Sequence, residues 1–409
     1  MIECSKYKLS ECCLSISDGD HLPPPKVDAG IPFITISDID SSNRLNLDVK
    51  QFVPEEYYNN LKDIRKAQRN DILYSVVGSF GIPVIIKGND KFAFQRHIAI
   101  LRPDSTKVIP DYLFYIMKSY DFYMQADSVA IGAAQRTISL TALRNMTVEL
   151  PSMDVQKKIA TTLSRYDSLI DNYEKQIKLL EEAAQRLYKE WFVNLRFPGH
   201  ENTKIVDGVP EGWEKKKIAD VTIKVTTGLN PRKNFVLGHG ENYYVTIKNM
   251  GKNTFFLDEK CDKVDDEAIA KINKRSDLKK GDILFSGIGT IGRVALIDIP
   301  TSNWNVSESV FTLRANENIS KEYLYLMLLD SNMQNYCQSH SHGAAQKGIR
   351  MADLKAFSFP LASKSIIDLF TSKAEPLLNR VSKIRRQLRL LTESRDRLLP
   401  KLLSGEIEV

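Results

Sequence analysis

The sequence predicts a mixed α+β protein in which one design occurs twice: an α/β domain and a long helix, then a second α/β domain and a second long helix. Three observations carry this reading. An apolar stripe with a seven-residue period runs through 152–197. A second stripe of the same period runs through 362–409. A single offset of 211 residues lays one half of the 409-residue chain on the other. The expected divisions are therefore 1–151, 152–197, 198–361 and 362–409.

In the first domain, segments 31–37 and 71–77 have strand composition. A glycine turn at 78–81 leads into a further candidate strand at 82–86. Segment 111–125 suits a helix, because Leu113, Ile116, Met117, Tyr120 and Met124 fall on one side. Pro151 closes the domain, and Ser152 with Asp154 suits the start of a helix.

The long helix that follows carries Ile159, Leu163, Tyr166, Ile170, Tyr173, Ile177, Leu180, Ala184, Leu187 and Trp191 at alternating steps of four and three. That is the period of a coiled-coil seam. It covers roughly 48 Å at 1.5 Å per residue. Phe197, Pro198 and Gly199 end it. The second helix carries the same seam as Phe370, Ala374, Leu377, Val381, Ile384, Leu388, Leu391, Leu398 and Leu402, with Arg395 interrupting the stripe. Pro376 is expected to kink it. One apolar stripe is not stable alone, so the two helices are expected to pair. The domain between them is long enough for either a parallel or an antiparallel arrangement. The second helix is strongly basic from Arg380 to Lys401, and Asp167, Asp171, Glu174, Glu181, Glu182 and Glu190 of the first offer complementary charge.

Composition narrows the function. With 43% hydrophobic and 26% charged residues the chain is an ordinary globular one. No apolar run has the length of a membrane span, and the charged first twenty residues do not resemble a signal peptide. The cysteines, Cys4, Cys12, Cys13, Cys261 and Cys337, form no CxxC pair, which fits reduced thiols and a cytoplasmic protein. A net charge of +6 is compatible with a polyanionic partner.

The repeat is spread over unlike elements. Phe33-Ile34-Thr35-Ile36 falls on Tyr244-Val245-Thr246-Ile247, and Asp71-Ile72-Leu73-Tyr74-Ser75 on Asp282-Ile283-Leu284-Phe285-Ser286. Gly78 and Gly81 fall on Gly289 and Gly292, and Tyr112-Leu113 on Tyr323-Leu324. Gly132-Ala133-Ala134-Gln135 recurs unchanged as Gly343-Ala344-Ala345-Gln346, each followed by a basic residue, Arg136 or Lys347. The segments 18–30 and 227–241 share little, as expected of two related sites with different specificities.

Catalytic signatures are missing. Gly287, Gly289 and Gly292 match GxGxxG, but the segment after them reads as a strand, so a tight turn explains them better than a dinucleotide site. Cys337, His340 and His342 lack a fourth zinc ligand and have no counterpart in the first copy, so no metal site is expected. No Walker A, GxSxG or HExxH sequence occurs, and the copies share no paired carboxylates. The pattern favours binding over catalysis.

The whole chain resembles the specificity subunit of type I restriction-modification systems. The resemblance rests on Ser17-Asp18-Gly19-Asp20-His21, the Pro32-Phe33-Ile34 strand, and the two Asp-Ile-Leu-aromatic-Ser segments. It also rests on the Gly-Ala-Ala-Gln loops and the helical runs beginning at Gln176 and Gln387. It implies two target-recognition domains, each reading half of a bipartite site on double-stranded DNA. It also implies that the helices pair as an antiparallel coiled coil related by a pseudo-twofold repeat. That coiled coil would set the spacer and dock two methyltransferase subunits. Motor-nuclease subunits would complete the complex, and S-adenosylmethionine, ATP and Mg would belong to the partners, leaving this chain without cofactor or catalytic residue. Little precedes the first domain, which reads as a short leader. On this view DNA contacts fall on Lys26, Ser79, Arg96, Gln135 and Arg136 in the first copy, and on Arg232, Lys233, Arg293, Gln346 and Lys347 in the second. The alternatives are a specificity subunit of a differently organised restriction-modification system, or a coiled-coil scaffold that binds no DNA.

Overall fold

The computed structural model describes residues 4–21, 23–40, 42–133, 135–343 and 347–408. The chain divides into two compact units, Met1–Asn172 with Leu388–Val409, and Tyr173–Gln387. Among the described residues, no helix is long and apolar enough to cross a membrane.

The first unit is built on an antiparallel four-stranded sheet in the order Cys13–Asp18, Ile98–Pro103, Ile72–Ser75, Pro83–Ile85. A three-stranded sheet sets Ile31–Ile34 between Phe52–Val53 and a parallel neighbour, Ala93–Phe94. Ser5–Lys8 pairs with Thr147–Leu150. The second unit repeats this plan. Its four-stranded order is Thr222–Thr227, Val310–Ala315, Ile283–Ser286, Val294–Leu296. Asn242–Val245 lies between Asp262–Val264 and parallel Trp304–Val306, and Glu214–Lys217 pairs with Ser358–Leu361.

The Asp-Ile-Leu-aromatic-Ser segments form central strands because both of their faces are apolar. Ile72 and Tyr74 point into the core shared with the helices, while Leu73 points into the core around Ile34 and Ile100. Ile283 and Phe285 divide from Leu284 in the same way.

Two elements differ from expectation. The helix expected over 111–125 is two helices, Pro110–Lys118 and Tyr120–Val129, because Ser119 accepts a hydrogen bond from the Phe122 amide (3.3 Å) and starts a new helix. Asp330 does the same between Lys321–Leu329 and Ser331–Ser339. The strand expected over 31–37 stops at Ile34, since the Thr35 amide donates to the Asp38 carboxylate (2.7 Å) and a 3-10 turn follows.

The first long helix is Met153–Tyr188, continued by a π-turn, Lys189–Val193; the second is Lys364–Leu403. In the first unit Ile159, Ala160 and Leu163 share a core with Leu399 and Leu402, and Asp167 accepts from Arg395 (2.7 Å). In the second, Glu181 accepts from Arg385, and Trp191 lies against Phe370 (ring centroids 5.9 Å apart). In both units a step forward on one helix is a step back on the other, so the pairing is antiparallel.

Of the seam positions, Ile159, Leu163, Ile170, Ala184, Trp191, Phe370, Ala374, Val381, Ile384 and Leu402 are buried. Tyr166, Tyr173, Ile177, Leu180, Leu187, Leu377, Leu388, Leu391 and Leu398 are half-buried. Beside three of these, Tyr188, Leu378 and Leu399 are buried. A straight helix of 3.6 residues per turn drifts against a seven-residue repeat, so the buried face moves by one position.

The kink expected at Pro376 does not interrupt the helix, which runs through it. The hydrogen bond that proline cannot make would run to the exposed Ser372 carbonyl, where water can serve, while Ala374 and Leu378 are held in the core. Nor is Arg395 a gap in the seam. Its side chain is only 13% exposed, and it donates to Asp167 and to Asp396, both at 2.7 Å. The Tyr115 hydroxyl donates to the other Asp167 oxygen (2.6 Å). Burial works against the Arg395 charge, but the two carboxylates outweigh it and hold its pKa above the usual value. Burial, reinforced by Asp167, pushes the Tyr115 hydroxyl well up.

Asp167→Ala leaves the Arg395 guanidinium with Asp396 alone and takes the acceptor from the Tyr115 hydroxyl, and should lower stability by about 1–3 kcal/mol, discounted for the partial exposure of Asp167. Replacing both, as Asp167→Leu with Arg395→Met, should recover most of that loss. Urea midpoints of the three chains check this.

Candidate nucleic-acid interface

One ion pair occurs in both copies, at the residue before each central strand. Asp71 and Asp282 are 2% and 1% exposed. Arg102 reaches Asp71 with Nε (3.0 Å) and Nη2 (2.9 Å), and Arg314 reaches Asp282 with Nε (2.6 Å) and Nη2 (2.8 Å). Each carboxylate also accepts a backbone amide, from Gln68 (2.9 Å) or Lys279 (2.8 Å). Each guanidinium also donates to a carbonyl, Lys66 (3.0 Å) or Asp277 (2.7 Å). The hydrogen bonds to Asp71 and Asp282 raise the pKa of Arg102 and Arg314. Two-pronged charged pairs of this kind fix direction as well as distance.

The glycine turn pairs with the residues that follow the Gly-Ala-Ala-Gln segment. The Gly78 amide donates to Arg136 O (2.9 Å) and the Ile138 amide to Val76 O (2.8 Å). In the second copy the Gly289 amide donates to Lys347 O (2.7 Å) and the Ile349 amide to Gly287 O (2.8 Å). Gly81 and Gly292 have φ of 90° and 89°, a region glycine enters without strain. A methyl group there would run into Tyr123 or Gln334. The segment after Gly292 is the strand Val294–Leu296, so the GxGxxG match is a strand–strand turn.

Other loops share a backbone frame but not a chemistry. A methyl group on Gly19 would strike the Phe94 carbonyl, and one on Gly228 the Val306 carbonyl, so both chains pass a neighbouring strand closely. Around Gly19 the first copy is ionic. Asp18 takes His21 (3.0 Å) and Arg65 (3.6 Å), and Asp20 takes Arg65 (3.4 Å) and the Tyr57 hydroxyl (3.0 Å). Burial, with Asp20, pushes the Tyr57 hydroxyl up to about 12. Beyond Gly228 the second copy is apolar, with Leu229, Phe235 and Leu237 packed against Tyr244, Ile269 and Ile272.

The sequence matches the family described as "Type I restriction modification DNA specificity domain" over 13–182 and again over 210–366. The chain belongs to this family. It is 26% identical over 307 residues to the MjaIX type I restriction enzyme specificity subunit of Methanocaldococcus jannaschii, covering 74% of this chain and 70% of that protein. It is 24% identical over 420 residues to the HindI specificity subunit of Haemophilus influenzae, covering 85% and 90%. The crystal structure of the type I restriction-modification S subunit from M. genitalium shares the fold, with a TM-score of 0.61 at 16% identity over 98% of this chain and 96% of that one.

Within this specificity-domain chain, the residues singled out from sequence fall into two groups. Lys26, Ser79, Arg96, Gln135, Arg232, Lys233 and Lys347 are exposed on loops and turns. Arg136 and Arg293 are half-buried and have partners within the chain. Arg136 pairs with Asp127 and lies over the Phe80 ring (5.3 Å), which is stacked on Tyr123. Arg293 donates to the carbonyls of Ile247 and Met250. Gln346 lies outside the described residues, as do Ala134, Ala344 and Ala345. Cys337 is buried, which pushes its thiol up to about 12, while His340 stacks on Tyr336 and His342 faces Asp353 (3.4 Å). The Asp18–Asp20–Arg65 cluster and the two Asp–Arg clamps were not among the sequence candidates. The signal for the clamps was the repeated Asp before each central strand.

Asp282→Ala removes the carboxylate that takes two donors of the half-buried Arg314 guanidinium, leaving it only Asp277, and should cost about 2–4 kcal/mol. The loss should show as a lower denaturation midpoint for the second unit, with the first unit's transition unmoved.

Proposed function

We propose that the chain is the DNA-reading specificity subunit of a type I restriction-modification complex. The observation that carries this is a duplicated frame with unlike loops: two equal clamps and turns, but an ionic surround at Gly19 and an apolar one beyond Gly228. Each α/β domain reads one half of a bipartite, asymmetric sequence on double-stranded DNA. The antiparallel helices set the spacer between the halves and dock two methyltransferase subunits. Motor-nuclease subunits join the full complex. The chain itself is non-catalytic; S-adenosylmethionine, ATP and Mg serve the partners, in the cytoplasm. The names of the relatives, all specificity subunits, support this reading.

On this reading the exposed Lys26, Arg232, Lys233 and Lys347 meet phosphates, and the exposed Ser79, Arg96 and Gln135 meet base edges. Arg136 and Arg293 hold loops in place. Lys347→Ala should therefore weaken all sequences alike and reduce the slope of log affinity against log salt by about one. Gln135→Ala should relax one half-site only. Salt-titrated binding to the specific duplex and to half-site variants separates these outcomes.

The decisive experiment is expression with the partner methyltransferase in a methylation-free host, followed by mapping of modified adenines. A bipartite asymmetric motif is expected. Uniform modification, or none with an active methyltransferase, would count against the proposal. Deleting one heptad from both helices should shorten the tolerated spacer and leave each half-site intact.

A further inference from the structure

In each unit one short turn joins the strand that leaves the glycine turn to a long helix, and it is fastened on both sides. In the first unit this turn bends back between Ile39 and Leu45. Asn43 Nδ2 donates to the carbonyl of Pro83 (3.0 Å), just past Gly81, and Arg44 Nη1 meets Asp171 of the first long helix (3.1 Å). In the second unit the turn bends back between Met250 and Phe255. Arg293, next to Gly292, donates to the carbonyls of Ile247 and Met250. On the other side Asn253 Nδ2 donates to Glu181 of the first long helix (2.8 Å), whose second oxygen takes Arg385. The contacting residues differ between the copies, yet the link from glycine turn to helix recurs. Packing does not account for it. Asn253 is 6% exposed, and its Oδ1 has no hydrogen-bond partner among the described residues. An apolar side chain would fill that space without a stranded carbonyl.

We infer that Arg44 and Asn253 are positioning residues: each holds its DNA-reading domain at one setting on the helix beside it, and that setting, besides helix length, decides which spacer the chain accepts. This rests on the proposed function. The apolar cores also join each domain to its helices, but apolar contact has no preferred direction, whereas a charged hydrogen bond fixes one. The two struts differ in strength. The Arg44 and Asp171 side chains are 36% and 44% exposed, so water and salt screen the pair. The Glu181 side chain is 16% exposed and Asn253 is buried, so their bond lies in a medium of lower dielectric. Ser382 of the second long helix also donates to Asp298, which adds a further link in that unit. The first strut is therefore the one that salt loosens, and the second is the firm one.

The test is adenine methylation by the full chain with its methyltransferase, on duplexes whose two half-sites are separated by the native spacer or by one a base pair shorter or longer. The unaltered chain should prefer one spacer. Asn253→Leu, which keeps the volume and loses the bond, should reduce that preference about tenfold, the equivalent of one hydrogen bond to a charged group. Arg44→Ala should reduce it about two- to fivefold at low salt and leave it unchanged at high salt. Exchanging the pair, as Arg44→Asp with Asp171→Arg, should restore it. Base preference within each half-site should stay the same throughout. Because Arg44 and Asp171 are at the surface, their variants report even if Asn253→Leu lowers the yield of folded chain. An unchanged spacer preference in Asn253→Leu and in Arg44→Ala at low salt would overturn the strut assignment and leave the proposed function standing. Relaxed base preference in these variants would overturn it too, since the turns would then shape the reading loops and not the setting of the domain. No bipartite motif from the unaltered chain with an active methyltransferase would overturn both.

Discussion

A helix of 36 residues with one apolar stripe cannot persist in water by itself, and this constraint organises the chain. Its partner is the 40-residue helix that ends the sequence, and the pairing is antiparallel within each unit. The covering is not uniform. Toward each domain the helices bury large aromatics or a broad aliphatic face: Tyr188, Trp191, Phe192 and Phe370 in one unit, Ile159, Leu163 and Leu402 in the other. Between these anchors most seam positions are half-buried, and charges help to fix the match, Asp167 with Arg395 and Glu181 with Arg385. Asp167 and Glu181 are each used twice, the first also by Tyr115 and the second also by Asn253 (2.8 Å). The helix pair is thereby tied to the domain beside it in each unit.

The repeat and the seam were legible because they are patterns of apolar residues and glycine, and such patterns depend on period alone. The central strands could be read from composition, since Ile72 to Ser75 and Ile283 to Ser286 are buried on both faces. What escaped was decided by single polar contacts. Ser119 and Asp330 split apparent long helices by capping. Asp38 ended a strand early. Arg395 looked like an interruption because its partner, Asp167, lies far off in the sequence. A stripe reports where a side chain points but not which distant charge it will meet.

The same reasoning explains why loop position could not tell which candidate contacts already have partners within the chain. Basic residues next to repeated glycines were picked as contacts, yet Arg136 and Arg293 spend their guanidinium groups on Asp127 and on two carbonyls. Position in a loop could not distinguish them from Lys347, which is exposed. The residues after each Gly-Ala-Ala-Gln segment donate and accept hydrogen bonds with the glycine turn in the same pattern in each copy.

Duplication supplies an internal comparison that a single domain would not. Where both copies keep a buried group, the frame needs it: Asp71 and Asp282 each receive a guanidinium and a backbone amide, so neither can change without leaving charge unpaired. Where the frame is kept and its surroundings are not, selection has acted on what the loop meets outside. Gly19 and Gly228 each pass closely by a strand of their own unit, at Phe94 and at Val306, but one is followed by Asp20 and His21, the other by Leu229 and Asn230. A carboxylate cluster held by Arg65 and an apolar pad under Tyr244 present different donors, acceptors and shapes to a groove. Two such surfaces in one chain are suited to a target whose halves differ. A symmetric target would have left the two loops as alike as the clamps beneath them.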